Sequence, residues 1–232
     1  MGFSHAITPN SNVIVDWVSL LARAPNADPL HNKTSKRILD VAGAVVLIIL
    51  TAPLMLLIAL AIRADGGPAI FRHQRVGARG KSFLCLKFRT MHVRAREMLQ
   101  QHLATHPQDR AEWEALFKLK NDPRVTRLGR FLRKSSLDEL PQLFNVLAGE
   151  MSLVGPRPII PEEIARYGGE FGFYAYCRPG LTGLWQISGR TDVDYARRVA
   201  FDHQYVAGWT LWRDIWIILA TPKVMLAKSG AY

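Results

Sequence analysis

Between Asp40 and Arg63 the chain carries no charge. The run from Val41 to Ile62 is about 22 residues, or ~33 Å as a straight helix, enough to cross a bilayer core of ~30 Å. A segment this apolar must sit in a protein core or in lipid, so it constrains every fold the chain can adopt. Pro53 stands near its middle, where it removes one backbone hydrogen bond and kinks a helix, and the Thr51 hydroxyl can satisfy part of what is freed. Both flanks are basic: Lys33, Lys36 and Arg37 before the run, and Arg63, Arg72, Arg75, Arg79 and Lys81 after it. Positive charge stays on the cytoplasmic side, so two basic flanks suit a segment that enters and leaves by one face. Hydropathy alone fits a kinked transmembrane anchor equally well.

The remaining bulk features narrow the partners. The 232 residues hold one good core, and a net charge of +11 calls for an anionic partner: a membrane surface, a nucleotide phosphate or nucleic acid. Nucleic acid is disfavoured, because no recognised binding motif accompanies the charge and the uncharged run has no place in such a protein. Cys85 and Cys177 lie far apart without metal-ligand spacing, which reads as two buried thiols. Residues 1–35 form a variable tail without the basic, apolar and cleavage regions of a signal peptide. Residues 36–63 form the membrane unit, and residues 64–232 a single further domain.

Along that domain, Ala69 to Val76 and Ser82 to Phe88 flank a Gly-containing turn and predict a β-hairpin. Gly80-Lys81-Ser82 does not complete a phosphate loop, because Arg75 occupies the place of the required upstream glycine. His92 to Lys120 predicts two exposed helices interrupted at His106-Pro107. His102 and His106 within it are surface histidines, since the intervening residues offer no glutamate and no third ligand is near. Trp209, Trp212 and Trp216 fall at i, i+3 and i+7, one face of a helix suited to a membrane interface.

The chemistry concentrates between Arg133 and Pro158. Asp138 and Glu139 are adjacent, with Arg133 upstream and a Gly155-Pro-Arg157-Pro158 turn downstream. Pro141 fits only the first turn of a helix, so the helix should begin near Ser136 to Asp138 with both acids at its N-terminus, ionised under the helix dipole. Neighbouring helical residues diverge by ~100°, so the two carboxylates cannot share a proton and must hold different jobs. Carboxylates flanked by arginines suit phosphate chemistry, one acid attacking or holding a metal while guanidinium groups grip phosphate oxygens.

The stretch from Arg133 to Pro158 resembles the signature of the bacterial sugar transferases that begin polysaccharide assembly, the monotopic phosphoglycosyl transferases. Lys87-Phe-Arg89-Thr-Met91 and the run from Arg178 through Gly189-Arg190 resemble further motifs of that family. The resemblance extends from Lys36 to the C-terminus and is strongest to the short members that initiate exopolysaccharides such as succinoglycan. It implies an α+β, mostly helical monotopic membrane protein with a re-entrant helix-break-helix, a small hairpin and interfacial amphipathic helices. Lys36 and Arg37 would begin the re-entrant unit and Pro53 would sit at its break, where Ala52 replaces the serine common in the family. Asp138 would be the nucleophile towards the β-phosphorus of a UDP-sugar, and Glu139 would bind Mg²⁺. Lys87, Arg89, Arg133, Arg157, Pro158 and Arg190 would form the substrate site. The acceptor would be undecaprenyl phosphate at the cytoplasmic face of the bacterial inner membrane, in a pathway completed by further glycosyltransferases. Galactose-1-phosphate is the sugar phosphate the resemblance favours, with glucose-1-phosphate or an N-acetylated sugar as alternatives. A non-catalytic membrane tether is the competing class, and it would need neither acid.

Overall fold

The computed structural model describes residues 30–116, 119–188 and 194–227. The tail before Leu30 and the expected substrate residue Arg190 lie outside them. Leu30, ahead of the membrane helix, is already buried in the main core.

Helix α1, Thr34–Arg63, holds the whole apolar run. It continues through Pro53, so the expected break does not divide it into two helices; the proline is an interior residue of one. The Thr51 hydroxyl donates to the Leu47 carbonyl at 2.7 Å, rather than to the Ile49 carbonyl that Pro53 leaves without its donor. The buried positions Lys36, Asp40, Ala44, Met55, Ile58 and Ile62 recur along its length. At ~100° per residue they fall within one narrow stripe. Ile38, Ile49, Leu50, Leu56, Leu57 and Leu60 are exposed on the remaining surface, Leu50 by 71 %. An apolar helix bare on this scale is no core helix; it is a membrane helix, and the protein associates with a membrane through it.

Strands β1, Ile70–Val76, and β2, Ser82–Phe88, form the expected antiparallel hairpin, with Phe71 opposite Lys87 and His73 opposite Cys85. Helices α2, Ala95–Thr105, and α3, Pro107–Leu116, follow as anticipated, and His102 and His106 stack on each other at 4.1 Å. Helix α4, Arg127–Ser135, leads through a tight turn into α5, Gln142–Ala148. The parallel pair β3, Ser152–Val154, and β4, Gly180–Thr182, is joined by α6, Ile164–Tyr167, and α7, Phe171–Ala175. Helices α8, Leu184–Ser188, α9, Tyr195–Ala207, and α10, Leu211–Ala227, complete the body. This is the α+β, mostly helical architecture the sequence implied.

The core is built around α1 at both ends. Ala44 and Ile48 pack with Leu143, Val146, Leu153 and Ile217, while Met55, Ile58 and Ile62 pack with Phe88 and Leu132. Asn145 on α5 ties the hairpin to this core. Its amide donates to the Leu84 carbonyl at 2.8 Å and its oxygen accepts from the Leu86 N–H at 2.9 Å, so the free edge of β2 is satisfied by one side chain. One expectation about α10 changes. Trp209 precedes that helix and donates its indole N–H to Asp214 at 3.0 Å, whereas Trp212 and Trp216 stand 79 % and 57 % exposed.

Candidate active site

The two acids occupy an elbow rather than the start of an α-helix. Helix α4 ends at Ser135, Ser136 takes a left-handed conformation at φ 56°, and Leu137–Glu139 form a single 3-10 turn. Pro141 then caps α5, whose first helical residue is Gln142. The proline does restrict the helix start as its ring demands, but the helix begins at Gln142 rather than near Ser136 to Asp138. A non-glycine residue at positive φ costs ~1–2 kcal/mol. Held beside two carboxylates, that strain marks a position the surrounding structure imposes.

The acids differ in surroundings. Glu139 accepts from the Lys87 ammonium at 2.6 Å, which fastens the elbow to β2. Asp138 is pushed up to about 6, first by burial and then by the neighbouring Glu139 charge, against the pull of Lys87 and Arg133. Both were expected to be comfortably ionised under a helix dipole; with no α-helix beginning there, Asp138 loses that support. A pKa of about 6 leaves it largely ionised at neutral pH and more basic than an ordinary aspartate.

Arg133 closes one side. Its Nε donates to the Thr90 hydroxyl at 2.9 Å, and its charge lies near enough to Asp138 for each to act on the other. On the other side the Gly155–Pro158 turn is pinned from several directions. Gly155 N–H donates to Thr182 at 2.9 Å, Gly180 N–H to Pro156 at 2.7 Å, and the Arg75 guanidinium to Pro158 at 3.2 Å. Glycine is required at the crossing: a Cβ on Gly180 would stand 2.1 Å from the Gly155 nitrogen. Arg157 projects from this turn, exposed, with its guanidinium 5.8 Å from the Trp185 ring centre. Cys85 lies between the two sides. Burial pushes its thiol up to about 11, and it feels Lys87, Glu139, Arg75 and Arg157 together.

The structure therefore gathers Lys87, Arg133, Asp138, Glu139 and Arg157, with Pro158 as the fixed, buried support of Arg157. Three other expected residues serve packing. Arg89 points away, donating to the Ile62 carbonyl at 3.0 Å and pairing with Asp65. Lys36 and Arg37, expected to begin the re-entrant unit, turn inward. Lys36 donates to Asp214 at 2.7 Å, to Val154 at 2.9 Å and to Tyr205 at 3.0 Å. Arg37 donates to the Val146 and Leu147 carbonyls at 2.6 and 2.8 Å, capping the C-terminus of α5. The sequence places Arg75 only in a basic flank and Thr90 only inside a motif; their part here, orienting Pro158 and Arg133, depends on contacts that no local pattern carries.

Among the described residues no group of three or more His, Cys, Asp or Glu side chains converges as a metal site. Mg²⁺ does not require one. It is commonly held by one or two carboxylates together with substrate phosphates, and Asp138 and Glu139 offer that donor set.

Comparison with known proteins places the chain in a family. The chain matches the family model for bacterial sugar transferase over residues 31–228. It is 53 % identical over 225 residues to the undecaprenyl-phosphate galactose phosphotransferase of Salmonella typhimurium, covering 97 % of this chain and 47 % of that protein. It is 50 % identical over 199 residues to the exopolysaccharide production protein ExoY of Rhizobium meliloti, covering 85 % of this chain and 88 % of that one. The UDP-glucose:undecaprenyl-phosphate glucose-1-phosphate transferase of Caulobacter vibrioides is 45 % identical over 214 residues, covering 85 % of this chain and 72 % of that protein. The chain thus spans about half the length of some relatives and most of others. Since the match takes in the membrane helix, the hairpin and both acids at once, the chain belongs to the bacterial sugar transferase family.

Proposed function

We propose that this protein transfers a hexose-1-phosphate, with galactose-1-phosphate favoured, from a UDP-sugar to undecaprenyl phosphate and so starts an exopolysaccharide repeat unit. The observation that carries the reading is the unequal treatment of two adjacent carboxylates: Lys87 holds Glu139, while burial leaves Asp138 with raised basicity. Such a division suits one acid that reacts and one that is held.

In this reading an Asp138 carboxylate oxygen attacks the β-phosphorus. A carboxylate–phosphorus bond forms, the bond from that phosphorus to the bridging oxygen breaks, and UMP leaves with the electron pair. Arg133 and Arg157 neutralise the phosphoryl oxygens as charge moves onto them, and the pinned Gly155–Pro158 turn keeps Arg157 aimed without reorganisation. An oxygen of undecaprenyl phosphate then attacks the same phosphorus, releasing Asp138 and giving the lipid diphosphate sugar. Glu139 is the residue that would hold Mg²⁺, whose charge, when bound, offsets the diphosphate's.

The topology proposed is re-entrant at the cytoplasmic face. Both ends of α1 dock on the same body, through Lys36, Arg37 and Asp40 at one end and Ile58 and Ile62 at the other. A straight span would drag that charged body into hydrocarbon. The named relatives act with galactose in one case and glucose in another, so the donor is tested directly. UMP release is measured with UDP-galactose, UDP-glucose and UDP-N-acetylated sugars, with and without undecaprenyl phosphate. The reading expects turnover with a UDP-hexose, fastest with UDP-galactose, and loss of it in Asp138→Asn. No UMP from any donor would favour a tether.

A further inference from the structure

The end of β2 makes four different connections with four successive residues. Lys87 grips Glu139 at 2.6 Å. Phe88 is buried against Met55, Ile58, Ile62 and Leu132. Arg89 donates to the Ile62 carbonyl at 3.0 Å and pairs with Asp65 just beyond the end of α1. The Thr90 hydroxyl accepts from Arg133 at 2.9 Å. Two residues that hold the active-site side, Lys87 and Thr90, thus bracket the two that hold the membrane helix, Phe88 and Arg89, along one short stretch of backbone.

We infer that Arg89 is a positioning residue: by clamping the C-terminal end of the membrane helix, it fixes the height of Asp138 relative to the lipid acceptor's phosphate. The inference rests on the reaction proposed above. Arg89 is poorly placed to bind the donor, because its side chain is only 9 % exposed and its Nε and Nη1 are sealed from solvent. Its Nη2 is spent on the Ile62 carbonyl and on Asp65, at the C-terminal end of α1, the favourable place for a cation on a helix. Gly67 makes room for it. A Cβ there would lie 1.7 Å from the Arg89 Nη1 and 2.6 Å from its Cζ, so any larger residue must push the guanidinium out. Gly67 is not among the residues at positive φ, so alanine there carries no backbone strain. Gly67→Ala therefore dislodges the clamp without deleting any hydrogen-bonding side chain.

The donor is soluble and reaches the site at any height, whereas the lipid phosphate is confined to one plane. Loss of the clamp should then spare the first half-reaction and slow the second. The full chain is reconstituted in nanodiscs as wild type, Arg89→Gln and Gly67→Ala. The UMP burst is measured without acceptor, and sugar transfer is measured with undecaprenyl phosphate. The burst is expected to stay within about twofold of wild type, while transfer to lipid falls ~10- to 100-fold, the cost of ångström-scale misplacement. In detergent micelles, which impose no plane on the acceptor, the difference should close. Burst and transfer falling together, or neither changing, overturns the inference. A nitroxide at Leu60→Cys supplies a readout independent of turnover, since Leu60 is exposed and Cys85 and Cys177 are buried. Its immersion depth should change in both clamp variants, and an unchanged depth also overturns the inference. If wild type releases no UMP, the reaction proposal fails, and the depth measurement alone decides the clamp.

Discussion

Replacing Lys36 with methionine tests how the membrane helix is fastened to the body. Its ammonium is 3 % exposed and the Asp214 carboxylate 0 %, at 2.7 Å. Asp214 keeps two other donors, the Tyr205 hydroxyl at 2.8 Å and the Trp209 indole at 3.0 Å, but among the described residues no other cation pairs with it. Lys36→Met thus leaves a buried carboxylate without its counter-charge and strips a donor from the Val154 carbonyl. Removing one partner of a buried pair costs ~3–5 kcal/mol, against ~1 kcal/mol for an exposed pair. For a chain of this size each kcal/mol lowers the melting midpoint by ~2–4 °C, so a fall of roughly 6–20 °C is expected. Following Lys36→Met with Asp214→Leu removes the stranded charge and should recover at least half of the loss. Thermal melts of wild type, single and double variants in one detergent provide the assay. A single variant within ~1 kcal/mol of wild type, or a double variant no better than the single, would refute the account of Lys36 as a buried structural anchor.

Asp138→Asn should be inactive yet more stable. The folded state holds the Asp138 proton more tightly than the unfolded chain does, from 3.8 up to about 6, so its charged form opposes folding above that range. The gain should be at most ~3 kcal/mol at pH 8 and fade as pH falls towards 4, read by melts at both pH values. UMP release by wild type should fall as pH drops through about 6, since the nucleophile must be ionised, and Lys87→Met should move that limb to higher pH because Lys87 lowers the Asp138 pKa. A pH–rate profile of both proteins checks the direction. Ser136→Gly should be neutral or slightly stabilising in melts, whereas Ser136→Val should cost ~1–2 kcal/mol, because a branched side chain is disfavoured at φ 56°. Asn145→Leu should destabilise by ~2–3 kcal/mol in the same measurement, since the Leu84 and Leu86 backbone groups lose their partner.

The hairpin, the two exposed helices and the apolar run were legible in the sequence because each is set by local patterning: turn glycines, helix formers, an uncharged stretch. Asp138, Glu139, Arg133 and Arg157 were legible because phosphate chemistry needs charges in close succession. The roles of Lys36, Arg37 and Arg89 were not. A lysine or arginine beside an apolar run has the same local signature whether it faces lipid headgroups or a carboxylate 178 residues away, as Lys36 does. The helix start was misplaced for a related reason. Pro141 limits where a helix can begin but cannot reveal that Ser136 turns left-handed, since that conformation is imposed by the docking of α4 and α5 on α1 and β2. Trp209 likewise fits the helical spacing of Trp212 and Trp216, yet is drawn off that pattern by its bond to Asp214.

The central claim is that Asp138 becomes covalently phosphoglycosylated. Intact-protein mass spectrometry of the purified chain, incubated with UDP-galactose and Mg²⁺ but no lipid acceptor, tests it most directly. The account predicts a population heavier by one hexose phosphate less water. Peptide mapping should place that mass on Asp138, Asp138→Asn should lack it, and undecaprenyl phosphate should discharge it. A chain that forms lipid-linked sugar yet never carries the added mass, and that releases UMP only when donor and acceptor are both present, would contradict the account.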